Sequence, residues 1–490
     1  MTGRPSLSEL VQALRRDSLL IEAPRNLPRV SEIVTDSRGV REGSLFVAVR
    51  GSQTDGHDYV IDSARRGAAA VIVERKIGVP VPEIVVTDGR RAAITLARTW
   101  FDDPAREMLL VGVTGTNGKT TTAALMRHLL NEEGAAGSIG TLGAFDGAGE
   151  SVPSVAGSLT TPGPVDLQAT FAALRDHGVR RVAMEASSHS LDQGRLDGLS
   201  FDGAIFTNLT RDHLDYHRTM EEYHAAKLKL MASLAPDGVA SVNHDDPAWR
   251  TLWTAARSIT WGVHPDAMLR ASDLELGATG SRFRVSGRFG EGSFTLPLPG
   301  DFNVANALGA AAVSLGMGRS LSWVGERFAV APQVTGRMER IVEDPCVVLR
   351  DYSHTPDSLE RALQALRPLT KGRLIVVYGC GGDRDRGKRP IMGRIAAELA
   401  DLSVITSDNP RTEDPERIID DIVRGVPNGT PFRRVADRRE AIRVVLAEGK
   451  EGDTILLAGK GHETYQVIGK EYLPFDEREI VLGLLGKARQ

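Results

Sequence analysis

Cysteine is almost absent from this chain. Two occur in 490 residues, Cys346 and Cys380, with no metal-ligand spacing around either. That excludes a disulfide framework and a thiolate metal site, and it fits a reducing cytosol. Long apolar runs are missing too: none reaches the ~18–20 residues that span a bilayer. The opening stretch, MTGRPSLSELVQALRRDSLL, is broken by charges and lacks an apolar core followed by a small-residue cleavage site. The expectation is a cytoplasmic protein with no leader and no membrane insertion. Charge of one sign is scarce as well. A net charge of −4 is too mild for a nucleic-acid or membrane partner. There is no internal repeat and no low-complexity tract.

What remains is an ordinary globular composition, 41% hydrophobic and 25% charged. At ~100–200 residues per domain the length predicts two to four domains. Helical and strand-like runs alternate for most of the chain, which predicts α/β architecture with largely parallel sheets. The pattern breaks at FDDPAREM and again around APQVTGRME, so three regions are expected, 1–106, 107–336 and 337–490.

The stretch VTGTNGKTTT, Val113–Thr122, lies between a buried-strand run, LLVGV, and a helical run with Leu125 and Leu129 one turn apart. Strand, glycine loop and helix is the context a phosphate-binding loop requires. Gly115 and Gly118 let the backbone turn its N–H groups toward an anion, and the helix N-terminus adds its positive end. Lys119 can reach the β- and γ-phosphates, and the Thr120 hydroxyl suits Mg²⁺. The spacing departs from GxxxxGK[ST], because Val113 stands five positions before Gly118. The loop is therefore not the switch-GTPase form, and no NKxD guanine motif accompanies it. Further metal oxygens are sought at neighbouring strand ends: Glu185 closes RVAME, and AIFTNLTRDHLDYH is read as ending near Asp212, His213 and Asp215. Taken alone, His213 reads more readily as a hydrogen-bonded structural residue than as a ligand.

In the third region three apolar runs each end in a polar turn. LIVVYG leads to CGGDRDRGKRP, LSVIT to SDNPR, and TILLA to GKGHE. Ligands of open parallel sheets bind beyond the carboxyl ends of strands, so these turns are expected to share one rim. The basic run RDRGKR is short and flanked by acids, which argues against a nucleic-acid patch.

GTNGKTT, MEASSHSLDQGR, TNLTRDHLDYH, GDFNVANALGA, TGRME, DYSHTPDSL, GCGGDRDRGKRP, DNPR and GKGHE occur in this order along nearly the whole chain. In this the sequence closely resembles the Mur ligases. The resemblance implies three domains: an N-terminal UDP-binding domain, a central P-loop ATPase domain and a C-terminal Rossmann-like domain. It implies an ADP-forming ligase that uses ATP and Mg²⁺ to add a third amino acid to UDP-MurNAc-L-Ala-D-Glu, in a protein expected to be monomeric. By this match Gly115, Thr116, Asn117, Gly118, Lys119, Thr120, Thr121, Asn303, Arg337 and Asp351 contact ATP, with Asp351 and His354 where the C-terminal domain meets the nucleotide. Thr120, Glu185 and His213 organise the metal. Thr35, Ser37, Ser52, Gln53 and Thr54 touch UDP, and Thr160, Thr161, Ser187, Gln193 and Arg195 hold the peptide end. Leu159 stands where relatives commonly carry Asn, and Ser353 where they carry Ala.

Lys227 matches a carbamylated lysine. From residue type alone it reads as a helix-surface lysine. The matched role has a charge logic: an ammonium among metal ions is repelled, whereas reaction with CO₂ makes an anion.

The motif Asp408-Asn409-Pro410-Arg411 goes in the family with meso-diaminopimelate, and Arg384, Gly459 and Glu463 match further contacts to that amino acid. Diaminopimelate is lysine with a second carboxylate, which an Arg guanidinium can bind through two parallel N–H···O bonds. A lysine substrate would leave that Arg unpaired, and such sites discriminate well. The same ligation with lysine or ornithine is the alternative. A regulatory ATPase that makes no covalent product, or a dead scaffold, is the reading of another class; retention of Lys119, Thr120, Glu185 and His213 argues against the scaffold. Because the substrates are expected on three domains, closure of the C-terminal domain is expected to assemble the site.

Overall fold

Runs without polar alternation, such as Ala70–Val73, Leu109–Thr114 and Leu374–Tyr378, become strands buried on both faces. That is the signature of parallel sheets covered by helices on each side. The computed structural model describes residues 4–51, 54–152, 159–255 and 257–487. Backbone packing divides the chain into two compact units. One comprises the chain up to Met268 with Gly309–Arg319, and the other Leu269–Leu308 with the chain from Ser320 onward.

The first unit holds two sheets. Near the N-terminus the order is Leu20–Glu22, Glu83–Val86, Ala70–Val73, Ser44–Val47, Glu32–Val34. The last four are parallel and the first is antiparallel. Helices Leu7–Arg16 and Gly89–Phe101 pack on one face. The first of these starts at a capping box, Ser6 with Glu9, which satisfies two backbone donors that the helix leaves open.

The second sheet of this unit is built around Leu109–Thr114. Arg181–Glu185 and Phe201–Phe206 lie parallel on either side. Ala136–Gly140, Leu234–Asn243 and Ser258–Gly262 extend it in parallel. Gly143–Phe145 and Ser151–Val152 finish it antiparallel. Leu110, Val182, Met184, Phe201 and Phe206 form part of one core; each aliphatic side chain so buried contributes about 1.5–3 kcal/mol. The strand expected to reach Asp212 and His213 stops at Phe206. Thr207 and Asn208 leave the ladder to brace the glycine loop. His213 therefore sits on the loop beyond, in a left-handed conformation with φ 53°.

In the second unit, strands Leu269–Gly277, Gly280–Gly287 and Gly292–Leu296 form an antiparallel meander. Beside it in sequence is a six-stranded sheet, ordered Glu339–Val342, Val347–Asp351, Thr454–Ala458, Leu374–Tyr378, Leu402–Ile405, Phe432–Arg434. All but the first strand are parallel. Helices Pro356–Leu366, Lys388–Leu399 and Pro415–Val423 cover one face, and Arg438–Glu448 and Glu477–Leu484 the other. The three strands expected to share a rim are neighbours in this order, so their polar turns do emerge together. Among the described residues no helix is long and apolar enough to cross a membrane.

Candidate active site

The glycine loop is fixed by the segment that leaves the neighbouring strand. Thr116 N–H donates to Asn208 O at 2.7 Å, and Asn117 N–H to Asn208 Oδ1 at 2.9 Å. Thr207 Oγ1 donates to Asn117 O at 2.7 Å. A Cβ at Gly115 would collide with that Thr207 hydroxyl, and Gly115 has φ 149°. Only glycine fits there. Gly118, at φ 83°, turns the chain into the helix Lys119–Leu130. That helix presents its N-terminus, with Thr120 and Thr121 in its first turn, to the mouth of the loop.

Two lysines converge on this loop. Lys119 Nζ donates to Gly115 O at 3.0 Å and Thr116 O at 2.7 Å. Lys227, on the helix Met220–Ala232, donates to the same Gly115 O at 2.7 Å and lies over the Tyr223 ring. Lys227 is 1% exposed, so the surface lysine suggested by residue type is a buried one. Burial, and next the charge of Lys119, push its pKa well below the ordinary lysine value; Asp212 opposes them weakly.

Glu185 ends its strand level with Val113, where the loop begins. It is buried. Its Oε1 accepts from Thr141 N–H at 2.8 Å and its Oε2 from the Thr141 hydroxyl at 3.2 Å. His213 faces the same mouth, its ring 4.8 Å from that of His189. Burial lowers the His213 pKa, against the pull of Asp212. His189 is pushed down to about 4 by burial and by His213 and His217. Among the described residues no three His, Cys, Asp or Glu side chains form a complete metal cage. Mg²⁺ at a triphosphate needs only one or two protein oxygens beside phosphate and water. Thr120 and the buried Glu185 at the loop meet that requirement.

The residues expected at the peptide end form one hydrogen-bonded patch against Glu185. Thr161 Oγ1 donates to Glu185 O at 2.8 Å and accepts from Ser187 N–H at 3.1 Å. Arg195 donates to Thr161 O at 3.0 Å and, through Nε and Nη2, to Gln193 Oε1. Thr160 Oγ1 accepts from Thr141 Oγ1. Leu159 is half exposed beside them. Arg90 ties this patch to the segment expected to hold UDP, donating to Gln193 O at 2.8 Å and Arg50 O at 2.7 Å. Thr54 O accepts from Gly51 N–H at 2.9 Å. Ser52 and Gln53 lie outside the described residues. Thr35 and Ser37 flank Asp36, whose side chain caps the turn Ser37–Gly39.

In the second unit Asn303 is buried and donates to Pro299 O at 2.7 Å. The Arg337 guanidinium lies 5.0 Å from the Tyr352 ring centroid. Asp351 Oδ2 accepts from Met338 N–H at 2.8 Å, and its Oδ1 accepts from the Ser353 hydroxyl. The Ser353 departure thus adds a partner to Asp351 that Ala could not supply. His354 is half-buried, with Nδ1 2.8 Å from Tyr352 O.

At the rim the three turns are laced together. Gly382 N–H donates to Asn409 O at 2.9 Å, and a Cβ on Gly382 would strike Pro410 O. Arg411 has φ 51° and donates from Nη1 to Gly382 O at 2.9 Å. The hairpin Tyr465–Ile468 with Glu471–Pro474 grips Arg411 by its backbone: Arg411 N–H donates to Val467 O, and Gly469 N–H to Arg411 O. Arg384 is exposed on the first turn, with its Cγ on the same side of Gly381 as Arg411 Nη1. Below them the buried Arg389 donates to Glu413, Asp421 and Gly381 O. Arg389 is the main reason the Glu413 carboxyl is held down at about 2. Asp408, Asn409, Gly459 and Glu463 complete the edge. Inference from sequence missed Thr207, Asn208, His189, Arg90, Arg389 and Lys460. All but Arg90 lie inside quoted motifs, which was the available signal; Arg90 carried none.

Comparison with known proteins matches this geometry to one class. A Mur ligase middle domain model matches residues 113–314, a Mur ligase glutamate ligase domain model 336–461, and a Mur ligase family catalytic domain model 29–99. The chain belongs to the Mur ligase family. It is 44% identical over 473 residues to UDP-N-acetylmuramoyl-L-alanyl-D-glutamate–2,6-diaminopimelate ligase of Geobacillus thermodenitrificans, covering 94% of this chain and 96% of that one. It is also 44% identical, over 467 residues, to the ligase of the same name from Synechococcus elongatus, covering 92% and 93%. A solved structure of a ligase of that name superimposes with TM-score 0.68 at 32% identity, covering 99% of both chains. MurF ligase of Thermotoga maritima in complex with ADP shares the fold, with TM-score 0.63 at 18% identity over 93% and 97% of the chains.

Proposed function

We propose that this protein joins meso-2,6-diaminopimelate to the D-Glu γ-carboxylate of UDP-MurNAc-L-Ala-D-Glu, with ATP converted to ADP and phosphate, in the making of peptidoglycan precursor. The observation that carries the reading is the rim of the C-terminal sheet. There Arg384 and Arg411 stand on turns adjoining Asp408 and Glu463. Paired cations and anions at that spacing suit the zwitterionic far end of diaminopimelate, one carboxylate and one ammonium. The ligases similar along almost the full length carry that substrate in their names.

A free carboxylate is a poor electrophile. Its oxygen attacks the γ-phosphorus of ATP, ADP leaves, and an acyl phosphate results. The diaminopimelate amine then attacks the acyl carbon, and phosphate departs from the tetrahedral intermediate. The protein's share is positioning and charge. The loop Gly115–Thr121, through the N–H groups at its helix start, and the Lys119 ammonium bind the triphosphate. Arg195 and Thr161, with Ser187, Gln193 and Thr160, hold the peptide end next to the loop. Thr120, Glu185 and His213 would hold Mg²⁺, which when bound neutralises phosphate charge. Lys227 is the site of carbamylation, because burial shifts its amine toward the neutral form, which is the form nucleophilic toward CO₂. Thr35, Ser37 and Thr54 take the uridine end. Asn303, Arg337 and Asp351 are nucleotide contacts, and Arg384, Asp408–Arg411, Gly459 and Glu463 the amino-acid contacts. The ranges 1–106, 107–336 and 337–490 are the corresponding substrate, ATPase and amino-acid domains.

The test is phosphate release with diaminopimelate, lysine and ornithine side by side. Release should require the UDP-dipeptide and diaminopimelate together. Equal turnover with lysine, or turnover indifferent to both substrates, defeats the reading.

A further inference from the structure

Lys460 follows the strand Thr454–Ala458, between Gly459 and Gly461, and its side chain is 0% exposed. A buried ammonium must be matched by acceptors or it neutralises. Here its partners belong to two of the three rim turns. Nζ lies 3.1 Å from Asn409 Oδ1, 3.1 Å from Glu463 Oε2 and 3.6 Å from Asp408 Oδ1. The Asn409 amide completes the arrangement. Its Nδ2 donates to Glu463 Oε2 at 2.8 Å, and its Oδ1 also accepts from Val467 N–H at 2.9 Å.

This network has a direction. A cation beside Oδ1 fixes which way the Asn409 amide points, because the flipped amide would set N–H against Nζ. Nδ2 is thereby turned to Glu463. Oε2 of Glu463 then holds two donors, while Oε1 takes no hydrogen bond among the described residues. Asp408 Oδ1 likewise has none. Two carboxylates against one ammonium leave one negative charge in excess, which matches a single incoming ammonium. Remove Lys460, and the buried Asp408 carboxylate and the half-buried Glu463 carboxylate lose the cation between them, and nothing then fixes the direction of the Asn409 amide.

We infer that Lys460 is a positioning residue for amino-acid selection: it orients Asn409 and aims the free oxygen of Glu463 at the ammonium on the far carbon of the incoming diamino acid. The inference rests on the reading of the rim given above. It extends that reading to a side chain that touches no substrate itself.

The experiment is a double-mutant cycle in the full chain with Lys460→Met, Glu463→Gln and the pair. Lys460→Met should raise the diaminopimelate KM roughly 10–100-fold, the scale of a charged hydrogen bond, with kcat changed less than about 3-fold. The KM values for ATP and UDP-dipeptide should not move. The double variant should be no worse than Glu463→Gln alone, because both changes remove one interaction. Multiplying effects, or an unmoved diaminopimelate KM, overturn the inference. Lys460→Arg keeps the charge and guards against loss of folding. It should raise the diaminopimelate KM roughly 5-fold, since a planar fork cannot reproduce the ammonium geometry, and an unchanged KM counts against the inference in the same way. Unsubstituted enzyme that ligates no diaminopimelate overturns the functional reading itself, and that result is visible before any variant is made.

Discussion

Lys119 and Lys227 share a single acceptor, the carbonyl oxygen of Gly115, although 108 positions separate them in the chain. Two amines on one oxygen cannot both carry full charge cheaply in a buried site. Lys119, at the mouth, is the one proposed to meet phosphate. Lys227, behind the loop, is the one forced toward the neutral amine. Replacing Lys119 by Met should therefore lower ligation by at least ~10²–10³-fold, the scale of one lost preorganised donor. The same change should make Lys227 easier to protonate. Steady-state phosphate release on the variant, with a urea melt to confirm folding, checks this.

For Lys227 the sign of the pH effect follows from linkage. Its folded pKa lies well below the ordinary 10.5, so between the two values the unfolded chain holds a proton that the folded chain lacks. Stability from this group therefore rises with pH until the unfolded lysine also deprotonates. In CO₂-depleted buffer, wild type should gain on Lys227→Met in urea midpoint between pH 7 and pH 9. In bicarbonate, intact-mass measurement under non-acidic conditions should show an adduct of one CO₂ on wild type and none on the variant. A flat difference in midpoint would place the ammonium, not the amine, behind the loop.

How far these features were legible differs by residue. The P-loop could be read because glycine spacing, strand and helix all fall within one short window, and the three rim turns because each follows an unbroken apolar run. Lys227 and Lys460 could not be read that way. A lysine in a helix or a glycine-rich turn looks solvated until the fold brings Gly115 O or Asn409 Oδ1 to it from far along the chain. The same holds for Arg389, which passes for part of a basic loop until Glu413 and Asp421 close over it. The over-long strand to Asp212 had the opposite cause. Apolar patterning does not show that Thr207 and Asn208 are diverted to hold the loop.

Arg411 keeps its unusual φ because the hairpin beyond Tyr465 clamps its N–H and carbonyl. Its side chain is thus carried on a rigid mount. Arg411→Ala should raise the diaminopimelate KM by ~10–100-fold and leave the lysine reaction near its starting level, since lysine has no distal carboxylate to lose. Arg411→Lys should recover little, because one ammonium cannot replace a bidentate fork. Parallel KM determinations for the two amino acids decide it: equal losses for both would assign Arg411 to loop structure instead of selection.

Asp166 opens the helix Pro164–Asp176 and faces Asp36 of the segment expected to hold UDP. Burial, and then the Asp36 charge, push its carboxyl up to about 6. The folded chain therefore binds a proton that the unfolded chain has already released near its ordinary 3.8. Stability from this group is greatest below that ordinary value and falls as pH rises to about 6. Asp166→Asn removes the cost, which solvent screening reduces to about 1 kcal/mol. The variant should match wild type in urea midpoint at pH 4 and exceed it at pH 7, with most of the divergence between. Asp36→Asn should shrink that divergence, because it takes away the second cause of the raised pKa. A gap that is the same at both pH values would mean that the Asp166 carboxyl is ionised throughout and that its burial is relieved by water.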